Sequence, residues 1–492
     1  MSKILLLLLS LLLSIHGFSQ NIEYEIYYEN DSCSIGPAKF IRGHNGDVVG
    51  IIGKAPIYDS LKLYKPMVFV IDEIGDTSSV WLDKQDTAVM YTEITLIHGY
   101  EPGYYLSGMG YDLNTKDQPE WFTIFTRMDS NYNIVWERCF RFDHTYWAYT
   151  YKAETLYDGS LMFCCNPGVY TDFFIFHLSS NGDSLSYHYF NGIESGRIWD
   201  ITEGHQTYQY SLYSNGSYDP PGYISCTRLT IDSNFSIVDY SYLPEWLSPP
   251  LSAKKLPDND FVLCGSTDIY YPGIDPKYYI SGYRINSSGN IGNEVFLTNP
   301  DTISRAGEDT GIDFYDPSQI YLGGTHNFQG LWGQNPSWIV ISKLDDTLGI
   351  IYEKYLGGDE VYTLRSVVAT DDGGVLLIGS QREFGTEPYF RDSFFIKLDS
   401  TSGPVTIPDE SELQLKEVLL YPNPGRNTLS IRTALKGSSF TLFDIKSIPV
   451  FNCKLENLVT TITVDHVRAG QYYYVIQDQN RIIESGKWIK SK

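Results

Sequence analysis

Arg365-Ser366-Val367-Val368-Ala369-Thr370, the turn Asp371-Asp372-Gly373-Gly374, and Val375-Leu376-Leu377-Ile378-Gly379-Ser380 stand together in one short stretch. Two β-prone runs flanking an Asp-Gly turn are a hairpin signal. After a polar loop, Ser393-Phe394-Phe395-Ile396-Lys397-Leu398-Asp399 supplies a third strand. The same unit can be followed upstream. Its turn recurs at Asn45-Gly46-Asp47, Glu101-Pro102-Gly103, Asp158-Gly159, Gln206-Thr207, Asp258-Asn259 and Asp316-Pro317, at intervals of 48 to 58 residues. Its third strand recurs too, for example at Phe122 to Asp129 and Trp338 to Asp345. A fourth strand follows most clearly at Ile134-Val135-Trp136-Glu137-Arg138 and Ile350-Ile351-Tyr352-Glu353-Lys354. Four short strands repeated at this period are the signature of a β-propeller.

Seven units can be counted. The seventh lacks a fourth strand, because Gly403-Pro404 and Pro408 interrupt pairing there. Ile22 to Tyr28 is an orphan strand near the N-terminus, and it is expected to complete the seventh blade and close the ring. Closure would remove the exposed strand edges of an open sheet. A ring of six or eight blades with one unit miscounted is the alternative. The expected architecture is all-β: a seven-bladed propeller over residues 20–403, a Pro/Ser/Thr/Glu-rich linker at 404–415, and a small C-terminal domain at 416–492.

That last domain contains short β-rich runs (Val418 to Tyr421, Leu429 to Arg432, Phe440 to Phe443, Thr461 to Val464, Tyr472 to Ile476, Lys487 to Ile489) separated by turn formers. Such spacing suggests an immunoglobulin-like sandwich. Its motifs are Tyr421-Pro422-Asn423-Pro424, Phe443-Asp444, Ala469-Gly470-Gln471-Tyr472 and the basic final strand Gly486-Lys487-Trp488-Ile489-Lys490. In this combination the domain resembles the type A C-terminal sorting domain of cargo exported by the type IX secretion system of Bacteroidetes. The resemblance covers roughly 15% of the chain. It implies the type IX machinery as partner, secretion or display at the outer-membrane surface by way of the periplasm, and Tyr421, Pro422, Asn423, Pro424, Gly470 and Tyr472 as sorting-motif residues. One departure is Ile445-Lys446-Ser447-Ile448-Pro449, which stands where the family has a Gly-rich hairpin and is expected to weaken that hairpin.

The N-terminus agrees with export. Lys3 precedes a Leu/Ile run from Ile4 to Ile15, too short to span a bilayer, and Gly17 and Ser19 suit a peptidase. Residues 1–19 therefore read as a signal peptide cleaved before Gln20, with no transmembrane segment in the mature chain.

Across 492 residues the formal net charge is −24, which argues against nucleic acids and anionic membrane surfaces as partners. The seven cysteines are irregularly spaced and several sit within apolar runs, such as Phe261-Val262-Leu263-Cys264, so they read as small core hydrophobes. Forty tyrosines suit an extracellular β-protein.

The sequence carries no Gly-x-Ser-x-Gly elbow, His-Glu-x-x-His or Walker loop, so no catalytic residue and no metal ligand is assigned. Paired carboxylates such as Asp371-Asp372 and Asp345-Asp346 fall in turns, where they satisfy backbone N–H groups. No cofactor is expected. Calcium at an Asp/Asn/Gly turn is the alternative, although no turn has the full alternating carboxylate series. His44, His98 and His205 fall in turns of different blades and are not expected to share a metal. The most suggestive feature is a set of long loops between second and third strands. With the connections between blades, these bring aromatic residues to one face, among them Trp121, Trp332, Tyr271, Trp147 and Trp199. Aromatic loops over a propeller mouth can stack sugars or grip a protein. The expected role is binding or scaffolding of a glycan or protein ligand. A hydrolase of polysaccharide or peptide with acidic residues at the mouth is the alternative.

Overall fold

The computed structural model describes residues 22–400 and 419–491, apart from 29–32, 57–64, 83–86, 98–100, 113–120, 142–148, 167–172, 191–197, 205–207, 220–222, 245–246, 270–276, 287–288, 299–301, 329–335, 383–390, 422–424, 433–436, 447, 457–458 and 479–480. The proposed signal peptide and linker lie outside the described residues, as do His98 and His205.

Among the described residues every element is a strand, and those within 22–398 form seven antiparallel sheets in sequence order, at 33–81, 87–140, 149–190, 198–242, 247–297, 304–357 and 361–398. Each sheet is a simple meander whose first strand lies innermost; these inner strands touch in succession around a ring. The seventh sheet takes its outermost strand from the N-terminus. Ile22–Tyr28 pairs antiparallel with Asp392–Leu398, with Tyr24 opposite Lys397, Ile26 opposite Phe395 and Tyr28 opposite Ser393.

Burial of the middle strands on both faces explains why these sheets stack. Middle strands such as Val375–Arg382 are buried throughout, whereas outer strands such as Ile237–Tyr242 expose most of their residues. Among the described residues the ring's apolar side chains gather into seven clusters, one in each gap between consecutive sheets. The gap between the seventh and first sheets is filled like the others, by Phe40, Ile52, Phe69, Leu376 and Phe395 with Tyr24, Ile26 and Tyr28 of the closing strand against them. Cys164, Cys165, Cys226 and Cys264 are buried free thiols, each in a different gap.

The turns follow a rule readable in the sequence. At the hairpins between third and fourth strands, the Oδ1 of Asp129 accepts the amides of Asn131 (2.9 Å) and Asn133 (2.8 Å), and Asp345 does the same for Thr347 and Gly349 (both 2.8 Å). Asp372 accepts the Gly374 amide at 2.9 Å in the turn of the seventh sheet. One position of each such hairpin is left-handed. Gly182 and Gly289 occupy it without strain, whereas Tyr132, Phe235 and Leu348 adopt φ of 64°, 61° and 65°. Those three side chains repay the strain by packing: Tyr132 stacks on Tyr104, Phe235 lies against His177 and His188, and Leu348 is buried.

The C-terminal domain is a sandwich of two sheets, one of three strands and one of four, around Leu429, Phe440, Ile462, Tyr474 and Trp488. The hairpin expected to be weakened is formed. Ser438–Phe443 pairs with Pro449–Leu455 because Asp444 Oδ1 accepts the amides of Lys446 (2.8 Å) and Ile448 (2.9 Å), which replaces what glycine would supply.

Candidate ligand cavity on the ring axis

The inner strand of a propeller blade is hemmed in on both sides, so a charged side chain there can only point along or into the axis. In six of the seven sheets the inner strand slips once in register against its neighbour, at Pro37/Phe40, Tyr91/Glu93, Thr150/Lys152, Ile198/Asp200, Ser248/Ser252 and Leu364/Ser366. In the sixth sheet the inner strand is split instead, into Ser304–Ala306 and Ile312–Asp313. An extra residue of this kind re-aims the side chains beside it. Here it gathers Lys39, Glu93, Lys152, Asp200, Lys254 and Asp313, one from each of the first six sheets. Their signs alternate around the ring.

Five of the six are joined in ion pairs. Lys39 forms an ion pair with Glu93, whose other oxygen lies 3.9 Å from Lys152 Nζ. Lys254 pairs with Asp313. The carboxylates also tie neighbouring sheets together. Asp200 Oδ2 accepts the Ala253 amide at 2.7 Å, and Asp313 Oδ2 accepts the Ala369 amide at 2.8 Å. Lys152 crosses the axis and donates to the carbonyl oxygen of Asp309 in the sixth sheet, at 3.2 Å.

Beside this network lies a cavity of about 430 Å³ to which all seven inner strands contribute, including Arg42, Glu154, Asp200, Lys254, Asp313 and Val367. The volume falls within the range of small-molecule sites. Its lining comes from the ends of the inner strands that lead into the turn between first and second strands. It therefore opens on the face opposite the loops between second and third strands. Arg42 donates to the Ala369 carbonyl at 3.2 Å and stacks over the Tyr315 ring at 4.8 Å.

Glu154 is the exception in this lining. No hydrogen bond or ion pair to another described residue satisfies its carboxyl. Burial, with the negative charges of Asp200, Glu203 and Glu93 adding to it and Lys39 opposing, pushes it up to about 8. Burial also raises Glu93, against the pull of Lys39 and Lys152. Lys254 is lowered to about 7 by burial and by the nearby charges of Arg42 and Lys39, in opposition to the charge of Asp200.

The aromatic residues singled out in the sequence are not brought together around this cavity. Trp121 begins a third strand, half-buried, with its ring 5.0 Å from that of Tyr111. Trp199 lies in the inner strand Ile198–Glu203 rather than in a connection between blades, and packs against the core between the fourth and fifth sheets. Trp332, Tyr271 and Trp147 lie outside the described residues. His44 faces the second sheet, where its Nε2 accepts the Gly103 amide at 3.0 Å. Among the described residues no group of three or more His, Cys, Asp or Glu is placed to hold a metal ion, and no helix is long and apolar enough to cross a membrane. In the sorting domain, Tyr472 is buried against Trp488 and donates to the Arg468 carbonyl at 2.7 Å; Gly470 begins its strand. Tyr421 ends the strand Leu419–Tyr421, and Pro422 to Pro424 lie outside the described residues.

Comparison with known proteins agrees with the reading of the C-terminus. Residues 419–491 match the family model of the secretion system C-terminal sorting domain, so the chain carries the tail of type IX secretion cargo, which is delivered to the cell surface or beyond. Comparison with curated proteins finds no match. Among solved structures the chain is similar to the polysaccharide lyase Uly1 (11% identity, 77% of this chain and 99% of that one, TM-score 0.45). It is also similar to a mutant of the NanB sialidase of Streptococcus pneumoniae (9%, 77% and 71%, 0.41) and to puromycin hydrolase (12%, 80% and 58%, 0.44).

Proposed function

We propose that this protein is an exported binding module that takes a small polar ligand, or a protruding end of a glycan or protein, into the cavity on its ring axis. The observation that carries this reading is the convergence of all seven inner strands on one ligand-sized space in which the side chain of Glu154, alone among the charged lining residues, has neither an ion pair nor a hydrogen bond to another described residue. A preformed concave site with few unsatisfied polar groups is how a rigid scaffold offers specificity. The hydrolase reading draws on the same residue, since a carboxyl still protonated at neutral pH is what general acid catalysis requires.

The full chain should be screened against glycan and peptide arrays, and each hit titrated by calorimetry. Under this reading Glu154→Gln weakens binding at least tenfold while Trp121→Ala leaves it unchanged. Binding lost with Trp121→Ala and kept with Glu154→Gln would move the site to the aromatic loops. Release of product from a bound ligand would make the protein an enzyme.

A further inference from the structure

The sorting domain does not merely follow the ring in sequence; it is seated on it. The outer strand of the sixth sheet ends at Gly357, and Gly358 continues in the same left-handed conformation, with φ of 86° and 93°. A Cβ on Gly358 would collide with the Trp338 ring, so this double turn admits only glycine. It presents Asp359 and Glu360 as an acidic corner before the inner strand of the seventh sheet begins at Val361. Tyr362 donates to Asp359 Oδ1 at 2.9 Å, and the Glu360 carbonyl accepts the Ser337 amide at 2.9 Å, so the corner is braced from both sheets. The closing strand adds a wall: Tyr27 feels the charges of Glu25, Asp359 and Glu360.

From the sorting domain comes a matching basic edge. Gly425 is clamped to the final strand, its amide on the Ile489 carbonyl (2.8 Å) and its own carbonyl accepting from Ser491 (2.9 Å). Lys490 Nζ donates to Asn427 Oδ1 at 3.4 Å. Arg426 is thereby held rigidly between two anchored residues. Its guanidinium meets Glu360 at 2.7 Å, with the Glu360 side chain only 9% exposed, and its backbone amide hydrogen-bonds the Asp359 carboxyl. A carboxylate buried to this degree is costly without a cation.

We infer that the propeller carries a docking site for its own sorting domain, in which the Asp359–Glu360 corner receives Arg426 and the basic edge around Lys490. Because the closing strand forms one wall, the site is complete only when the ring is.

The test uses the full-length mature protein, by small-angle scattering and by hydrogen exchange at the Arg426 amide, with the Gly425 amide, bonded within the sorting domain, as the internal control. Glu360→Arg and Arg426→Glu should each weaken docking about tenfold, between the effects of an exposed and a buried pair. The particle should become more extended and the Arg426 amide exchange faster while the Gly425 amide does not. The double reversal, Glu360→Arg with Arg426→Glu, should restore both readouts, which separates a docking effect from damage to either domain. Unchanged scattering and exchange in both single variants, or failure of the double variant to restore them, would overturn the inference.

Discussion

Replacing Glu154 by glutamine should stabilise the ring, and by an amount that grows with pH. Burial in the axial cavity lifts this carboxyl from its ordinary 4.5 to about 8. At about 1.4 kcal/mol for each tenfold change in proton affinity, that gap caps the cost of the ionised carboxylate at about 5 kcal/mol. Water in the cavity softens it, leaving about 2 to 4 kcal/mol. The sign follows from which state holds the proton. The unfolded chain loses it as pH rises through 4.5 while the folded protein keeps it until about 8, so the native state loses stability across that window. Glutamine has nearly the same shape and no proton to lose. Urea unfolding of the wild type and Glu154→Gln should therefore coincide near pH 4.5 and separate by about 2 to 4 kcal/mol at pH 8.5, with the variant more stable. A difference independent of pH, or a variant less stable at pH 8.5, would refute a buried, unpaired carboxyl at this position.

Asp200→Ala should lower stability by about 1 to 3 kcal/mol, because it strands the Ala253 amide that ties the fourth and fifth sheets; a wild-type urea midpoint would show that the tie carries no load. Phe235→Gly relieves about 1 kcal/mol of left-handed strain but forfeits the burial of an aromatic ring, so a net loss of about 2 kcal/mol is expected on urea titration, and a gain would contradict the packing account. Deleting residues 22–28 uncovers the edge of Asp392–Leu398 and removes Tyr24, Ile26 and Tyr28 from the gap between the seventh and first sheets. The melting temperature should fall sharply, and an unchanged one would rule out closure by this strand. Removal of residues 419–491 should leave the ring in the periplasm; surface delivery of the truncated protein would disconnect the tail from export.

The strands of the ring were legible because each turn announces itself. An Asp, Asn or Ser at the strand end and a glycine or its substitute two to three residues on fix the hairpin locally, so Asp129, Asp345 and Asp372 could be read as turn residues without tertiary information. The closing role of Ile22–Tyr28 came from counting: a four-strand repeat that runs out one strand short needs that strand from elsewhere. Two features escaped. The strand Pro449–Leu455 was hidden because it opens on a proline, which reads as a strand breaker, although Asp444 braces its turn as Asp129 and Asp345 brace theirs. Trp199 reads as a residue of a connection between blades in the sequence because its inner strand is short and carries Asp200 next to it.

The axial charges escaped for a different reason. Read singly, Lys39 or Glu93 in an apolar run is an ordinary outward residue of an alternating strand, and the register slip that turns it toward the axis breaks the very alternation by which strands are recognised. Read together, Lys39, Glu93, Lys152, Asp200, Lys254 and Asp313 fall at intervals of 48 to 59 residues, the same period as the turns, with strictly alternating sign. Alternation cannot close on an odd number of sheets: a seventh charge would meet a like charge on one side. The seventh sheet brings Val367 to the cavity, and the charge at its own register slip, Arg365, is paired instead with Glu308 and Asp309 of the sixth sheet. Neutralisation between sheets thus accounts for six charged positions as structure. It does not account for Glu154, a second charge on the third sheet's inner strand, outside the alternation and unpaired in the cavity. Glu154, half-buried in the cavity lining and without an ion-pair partner among the described residues, is therefore the residue on which a functional test should be spent first.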